Sequence, residues 1–357
     1  MGRKIKISFD EIFSMESLYM ALKHASKGRR YKPEVLRWNA NRYDMLSELQ
    51  EEIYSGKYEV DKYMAFYVSE PKKRLIMSIA FKHRIVQWAI YQKIQPILVK
   101  GYIIDSYGCI TDRGPDTAIE RVRYWLDSGE DTYYLKYDIS KYFYRIDQDV
   151  LEATIRKKIA DKRLCDLMAR VIHCSHTAFG LPPGKSPGEI PLDERIYGVG
   201  MPVGNLLSQI FANIYLDRLD QYCKRDLRIR HYIRYMDDGL ALSDSKADLH
   251  MWEDAIRSYL HDELRLDLNR KTCIRPISQG ISYIGYRIWP GYTTVRKSSS
   301  LHMRRYLKKI MQDYAAGEID LRRASQPYMC YKAKLERCDC KELRDDLLGG
   351  FCLKRET

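Results

Sequence analysis

The stretch Tyr232-Ile233-Arg234-Tyr235-Met236-Asp237-Asp238-Gly239-Leu240-Ala241-Leu242 decides how this chain is read. Two short β-favouring runs flank Asp-Asp-Gly, which predicts a hairpin with adjacent carboxylates at its tip. Aspartates also occupy surface turns for turn chemistry alone, so the pair gains meaning only from a partner elsewhere. Upstream, Tyr133-Tyr134-Leu135-Lys136-Tyr137-Asp138 reads as an aromatic strand ending on a carboxylate, followed by Ile139-Ser140-Lys141-Tyr142-Phe143. If the two strands are neighbours, Asp138, Asp237 and Asp238 converge. Hard Mg²⁺ takes oxygen ligands, usually one or two carboxylates plus substrate phosphates. Two such ions stabilise the attacking and leaving oxygens of an in-line phosphoryl displacement.

The rest of the composition agrees with a polyanionic substrate. The 357 residues are 45% hydrophobic and 31% charged, enough for a packed core and too regular for disorder. Lys and Arg number 61 against 48 Asp and Glu, a net charge of +13 that favours a partner such as nucleic acid. No window approaches the roughly 20 consecutive apolar residues of a membrane span. The basic start runs into Phe9, Asp10 and Glu11 instead of a secretory signal's apolar stretch, and Lys6 breaks the myristoylation pattern. The expected location is the cytoplasm, with no membrane partner. Nine scattered cysteines fit reduced thiols. His173-Cys174 with His176, and Cys338-Asp339-Cys340 with Cys352, each lack a second ligand pair at zinc-site spacing.

Working outward, residues 9 to 56 read as helices, with Ile12, Phe13, Leu18, Leu22, Leu36, Leu46, Leu49 and Ile53 near helical spacing around a basic turn at Lys27-Gly28-Arg29-Arg30. Tyr63 to Ile76 turns strand-like around Pro71-Lys72-Lys73-Arg74, and residues 81 to 99 form a long amphipathic helix. The breaker-rich segment from Gly180 to Gly200 reads as a surface loop. A helix from Leu249 to Leu264 and a short strand from Ile281 to Ile288 follow the hairpin. This order predicts an α+β sheet domain with helices on one face. Beyond residue 292, Met303, Leu307, Ile310, Met311 and Tyr314 share one helical face, and Arg304, Arg305, Lys308 and Lys309 the other. That basic face suits a phosphate backbone, and a solvated helix face is the plain alternative.

Tyr235-Met236-Asp237-Asp238 resembles the signature of reverse transcriptases, and further blocks in the family's order extend the resemblance from about residue 16 to residue 350. It implies a right-hand polymerase: N-terminal helices and fingers over 1–130, a palm of antiparallel sheet plus helices over 131–290 with a loop insertion at 180–200, and a short helical thumb over 291–357. It implies RNA-directed DNA polymerase activity on a template RNA with a DNA or RNA primer and dNTPs. Two Mg²⁺ ions, with Mn²⁺ as substitute, would be held by Asp138, the Ile139 backbone, Asp237 and Asp238. Lys72 and Arg74 resemble the fingers cations that meet the incoming triphosphate. Phe143 resembles the aromatic gate that excludes a 2′-hydroxyl, which argues against an RNA-synthesising enzyme. Val203 and Gly204, in Gly200-Met201-Pro202-Val203-Gly204-Asn205-Leu206-Leu207-Ser208-Gln209, fall in the motif behind the nucleotide. Lys271 resembles a late palm lysine that protonates pyrophosphate. Tyr283-Ile284-Gly285-Tyr286 resembles the primer grip, and Tyr235, Met236, Gly285 and the basic helix would meet primer and template.

Within the family, Gly204-Asn205-Leu206-Leu207-Ser208-Gln209 looks like the form found in diversity-generating retroelements of bacteria or phages. Members of that subgroup make error-prone cDNA with a small accessory protein or structured RNA. Val203 stands where Gln is usual, and an aliphatic side chain there cannot hydrogen-bond the nascent pair. A phage-defence reverse transcriptase is the alternative within the family, and an inactive nucleic-acid-binding scaffold is the alternative from another class. Residues 292 to 357 are too few for an RNase H domain, which disfavours a full retroviral or mobile-intron enzyme.

Overall fold

Local capping starts the chain. Ser8 and Glu11 close a capping box on α1 (Phe9–Ile12), and Ser14 caps α2 (Met15–Ser26). A proline opens α3 (Pro33–Ala40), and α4 (Arg42–Tyr54) follows. The computed structural model describes residues 4–68, 74–188 and 190–355. Leu18, Leu22, Leu46, Leu49 and Ile53 are buried as their spacing predicts. Leu36 is the exception, exposed because Val35 and Trp38 take the inward positions of the short α3.

Next, β1 (Met64–Val68) and β2 (Arg74–Ser78) pair antiparallel as a separate ribbon. Then come α5 (Phe81–Val99), β3 (Ser106–Tyr107) and α6 (Pro115–Asp127). The first acidic strand, β4 (Tyr133–Asp138), leads into α7 (Tyr142–Arg145), α8 (Gln148–Lys158) and α9 (Lys162–Ile172). After the breaker-rich segment, α10 (Leu206–Gln221) delivers the chain to the hairpin β5 (His231–Tyr235) and β6 (Asp238–Ser243), then α11 (Lys246–Leu264) and β7 (Cys273–Pro276).

The central sheet runs β3-β5-β6-β4-β7, antiparallel except for the β3–β5 pair. Its outer strand therefore comes from residues 106–107, inside the stretch the sequence reading gave to the fingers. Both faces are covered, which corrects the expectation of helices on one side. Leu135, Tyr137, Tyr232 and Ala241 enter a core with α5, α8, α10 and α11, while Tyr134, Ile233, Leu240 and Leu242 enter a second with α6 and the C-terminal elements. The reason is visible in the strands, which are nearly continuously apolar instead of alternating, as strands buried on both faces are.

The hairpin turn lies one residue earlier than Asp-Asp-Gly suggested. Tyr235 pairs with Asp238, leaving Met236 and Asp237 as the two-residue loop, with Met236 at φ +54°. Gly239 is already in β6, and its lack of a side chain serves packing, not turning: a Cβ there would lie 2.0 Å from Cζ of the buried Tyr137 ring. The expected single strand Ile281 to Ile288 is likewise a hairpin, β8 (Ile281–Tyr283) and β9 (Tyr286–Trp289), turning at Ile284-Gly285 with both residues at positive φ. β10 (Tyr292–Val295) completes this small sheet.

The 180–200 segment is not purely a surface loop. Gly180 bridges to Ile196, Leu181 and Ile190 bury beside Tyr144, and the buried Arg195 donates to the Phe179 and Pro187 carbonyls. The chain ends in α12 (Lys297–Ala315), α13 (Leu321–Glu336) and α14 (Lys341–Gly349). On α12, Met303, Leu307 and Ile310 are buried while Arg305, Lys308 and Lys309 are exposed; Arg304 pairs with Asp346 of α14.

Because Tyr137 has no room to move, Gly239→Ala is expected to lower the unfolding free energy by about 1–3 kcal/mol, the usual cost of overpacking. Urea titration checks this, and an unchanged midpoint would show that the ring can move aside.

Candidate active site

The β4–β6 register places Asp138 opposite Asp238, and the Ile139 amide donates to the Asp237 carbonyl at 3.2 Å. Three acidic residues thus meet at the ends of two neighbouring strands. Burial, then the negative charges of Asp138 and Asp238, push the Asp237 carboxyl up to about 6, with the Arg234 guanidinium opposing. Burial and Asp238 also raise Asp138, while the Asn269 Nδ2 donor at 2.9 Å and the cations Lys136 and Lys271 pull it back.

Lys136 answers part of this crowding. Its ammonium lies 3.9 Å from Asp238 Oδ1 and donates to the Ser282 carbonyl of β8 at 2.9 Å. Burial holds its pKa below the usual lysine value, with Asp238 opposing. Tyr283 Oη donates to the Asp238 carbonyl at 3.3 Å, so the β8–β9 hairpin is tied to the acidic centre twice.

Beneath the turn lies a buried ion pair. Arg234, 1% exposed, meets Asp220 through Nε at 2.7 Å and Nη2 at 2.6 Å, and its Nη1 donates to the Met236 carbonyl at 2.8 Å. Nη2 also reaches Ser106 Oγ at 3.0 Å. The Met236 amide donates to the Tyr107 carbonyl, and Gly108, at φ +90°, makes room for the Met236 side chain: a Cβ there would meet its Cγ at 2.7 Å. Met236, the first residue of the two-residue loop, is therefore fixed at both its amide and its carbonyl.

Among the residues assigned to the nucleotide, Phe143, Val203 and Gly204 are joined through backbone contacts of the 201–204 segment. Phe143 of α7 is half-buried, its ring 5.5 Å from that of Tyr142, and its carbonyl accepts from the Met201 amide at 2.7 Å. Val203 packs on the Leu181–Ile190 cluster, and its carbonyl accepts from the Met77 amide of β2. Gly204 is at φ +101°, where a Cβ would lie 3.0 Å from Ile76 Cγ2. Asn205 Nδ2 donates to the Met77 carbonyl at 2.9 Å, fastening the segment to the ribbon that Arg74 begins. Lys72 lies outside the described residues, and only the backbone of Arg74 is described. Lys271 is exposed, its amide donating to Asn269 Oδ1 at 3.1 Å, so Asn269 links it to Asp138. Tyr235 is half-buried beside the turn; Gly285 sits at the separate β8–β9 tip, where its carbonyl accepts from the Arg296 amide. Arg304, Arg305, Lys308 and Lys309 belong to α12, apart from the acidic strands.

Sequence reading passed over Lys136, Asn269, Asn205 and Arg234. Two of them carried a signal, as cations interrupting otherwise apolar strands, since a buried cation is almost always paired.

Among the described residues no three His, Cys, Asp or Glu side chains form a ready-made metal cage, the His173-Cys174-His176 and Cys338-Asp339-Cys340 clusters included. Asp138 and Asp237 with the Ile139 carbonyl offer hard oxygen donors. Burial first, and neighbouring carboxylate charge second, raise both side chains, which fits an open Mg²⁺ site completed by substrate phosphates.

A family model described as reverse transcriptase (RNA-dependent DNA polymerase) matches residues 68–288. The chain belongs to the reverse transcriptase family. As a reverse transcriptase it is classed with RNA-directed DNA polymerases, which are nucleotidyltransferases, and its architecture is α+β. It is 27% identical over 308 residues to Protein YkfC of Escherichia coli K12, covering 76% of each chain. It is 20% identical to the group II intron-encoded protein LtrA of Lactococcus lactis, covering 74% of this reverse transcriptase and 52% of that protein, about half its length. A solved structure of apo telomerase from Candida tropicalis, truncated from its C-terminal domain, overlaps 69% of this chain and 58% of that one, with TM-score 0.46 and 16% identity. No described helix is long and apolar enough to cross a membrane.

A carboxyl raised in the folded state makes its ionised form a folding penalty, present above the folded pKa and relieved as pH falls through about 6 toward the unfolded value. In EDTA, Asp237→Asn is therefore expected to melt higher than the parent at pH 8, with the gap closing by about pH 4. A gap independent of pH, in melts followed across that range, would remove the electrostatic account.

Proposed function

We propose that this reverse transcriptase copies a template RNA into cDNA by two-metal nucleotidyl transfer. The observation that carries this reading is the meeting of Asp138 and Asp237 across the β4–β6 mouth, locked by the Ile139–Asp237 backbone bond and expressed in the raised carboxyls. Asp138, Asp237 and the Ile139 carbonyl would hold the ions, with Asp238 in support beside Lys136. When bound, Mg²⁺, or Mn²⁺ in its place, neutralises triphosphate charge and stabilises the attacking and leaving oxygens.

The chain's own residues do the rest. Lys72 and Arg74 meet the triphosphate, whose oxygens suit their charge. Phe143 packs against the sugar and bars a 2′-hydroxyl. Gly204 keeps the backbone behind the nucleotide free of a side chain, and Lys271, placed beside Asp138 by Asn269, is available to protonate the leaving pyrophosphate. Tyr235, Met236 and Gly285 meet the primer end, and Arg305, Lys308 and Lys309, with Arg304, offer charge to the backbone. The division into fingers over 1–130, palm over 131–290 and thumb over 291–357 follows this assignment, except that the palm sheet borrows β3 from the first segment.

The finer reading is a diversity-generating retroelement enzyme, supported by Gly204-Asn205-Leu206-Leu207-Ser208-Gln209 and by Val203. The Val203 side chain is committed to an apolar cluster, so the flank of the nascent pair lacks a hydrogen-bonding check. A small accessory protein or structured RNA would then be its partner.

Primer extension on a primed RNA template with dNTPs and Mg²⁺ tests the chemistry. Asp138→Ala and Asp237→Ala should each lower the rate by about a thousand-fold or more, since metal stabilisation is worth several kcal/mol. Extension by either variant at the parent rate would refute the assignment. Phe143→Ala should accept ribonucleotides, and unchanged sugar selection would remove the gate role. Sequencing cDNA from Val203→Gln should show fewer errors than the parent; equal error rates would separate Val203 from fidelity.

A further inference from the structure

Lys136 stands where the sheet has little use for a charge. It pairs with Leu240 on one side and Cys273 on the other, and its neighbours on that face, Tyr134 and Leu240, belong to the second core. An apolar side chain would suit that place, whereas a lysine must be stripped of water. Side chains two apart on a strand share a face, so Lys136 lies on the face of Asp138, and Asp238, opposite Asp138, is its diagonal neighbour. A long side chain spans that diagonal. The ammonium stands 3.9 Å from Asp238 Oδ1, and the Ser282 carbonyl accepts from it at 2.9 Å. Asp138, Cys273 and Arg296 also act on it. Among the described residues, Lys136 is the one cation within ion-pair distance of the three carboxylates.

The consequence is electrostatic. Three carboxylates at one strand mouth attract a divalent ion, and a fixed positive charge on the same face opposes that attraction. A divalent ion within several ångströms of a unit positive charge loses about tenfold in affinity even under water's screening. Mg²⁺ is usually held by one or two carboxylates completed by substrate phosphates, so a site weakened in this way depends on the phosphates. We propose that Lys136 is a positioning residue acting as a built-in counter-cation, which weakens divalent-ion binding in the nucleotide-free enzyme so that the ions are retained only when the triphosphate adds its own negative charge. This deepens the two-metal reading above and rests on it.

The test measures ion binding without chemistry. Mn²⁺ is titrated into the full chain, with neither dNTP nor nucleic acid, and the free ion is followed by electron paramagnetic resonance for the parent, Lys136→Met, Lys136→Gln and Lys136→Arg. Lys136→Met suits the apolar strand and Lys136→Gln keeps a donor for the Ser282 carbonyl, and thermal melts in EDTA verify their folding. Both neutral variants should bind Mn²⁺ about tenfold more tightly than the parent, and Mg²⁺ should raise their melting temperatures further. Lys136→Arg should match the parent. A lysine that served packing alone would give no such gain when its charge is removed. A folded neutral variant with parent affinity, or weaker, overturns the counter-cation role. Asp237→Asn separates the two readings: if it leaves Mn²⁺ affinity unchanged, the carboxylates are not the ion site and the two-metal reading fails too. If it weakens binding while the neutral variants match the parent, only the role of Lys136 fails.

Discussion

The guanidinium of Arg234, sealed beneath the hairpin turn, is the constraint from which the rest of the site follows. A charge this deep is tolerable only with its partner, and Asp220 supplies two hydrogen bonds from α10. Removing one member of such a pair costs about 3–5 kcal/mol, because the other is left buried and uncompensated. The remaining guanidinium donors reach the Met236 carbonyl and Ser106 Oγ. One side chain therefore joins α10, the β5–β6 turn and β3, and fixes the height at which Asp237 stands. Tyr232 extends the network, donating to Asp220 and bonding the Tyr137 hydroxyl at 2.7 Å. That contact explains why the Tyr137 ring crosses the place where residue 239 would otherwise carry a side chain.

Above this rigid base the acidic centre is held in an unfavourable state. Carboxyls raised by burial and by neighbouring negative charge, as Asp138 and Asp237 are, oppose folding at neutral pH, and the fold sets groups against this from three directions: Asn269 on Asp138, Lys136 beside Asp238 and the charge of Arg234 on Asp237. Such stored repulsion is common where a site must bind a cation it does not carry itself. Lys136 has a double attachment, since its ammonium also holds the β8 backbone. Any displacement of the β8–β9 hairpin is thereby felt at Asp238, a direct mechanical link between the hairpin and the carboxylates.

Much of this was legible from residue patterns. The aspartates at 138, 237 and 238 stood at strand ends, and the helical stripes of α2, α4 and α12 buried as their spacing required. Misreadings came where packing overrides local preference. Asp-Asp-Gly has turn chemistry, yet the turn is Met236-Asp237, because Gly239 answers to a ring on a neighbouring strand. Leu36 fits a helical stripe, yet α3 is too short to bury both it and Val35. The breaker-rich 180–200 segment looked solvent-borne, yet Arg195 and Leu181 pull it inward.

The sequence by itself determined the family and named the carboxylates and cations offered for its chemistry, because those depend on residue types and on their order along the chain. Only the tertiary structure decided which residues hold them, that Arg234 braces the turn, and that Lys136 and Asn269 flank the acids. These contacts join residues far apart in sequence, Asn269 and Asp138 being 131 positions apart, and local pattern carries no information about such distances until the chain has folded.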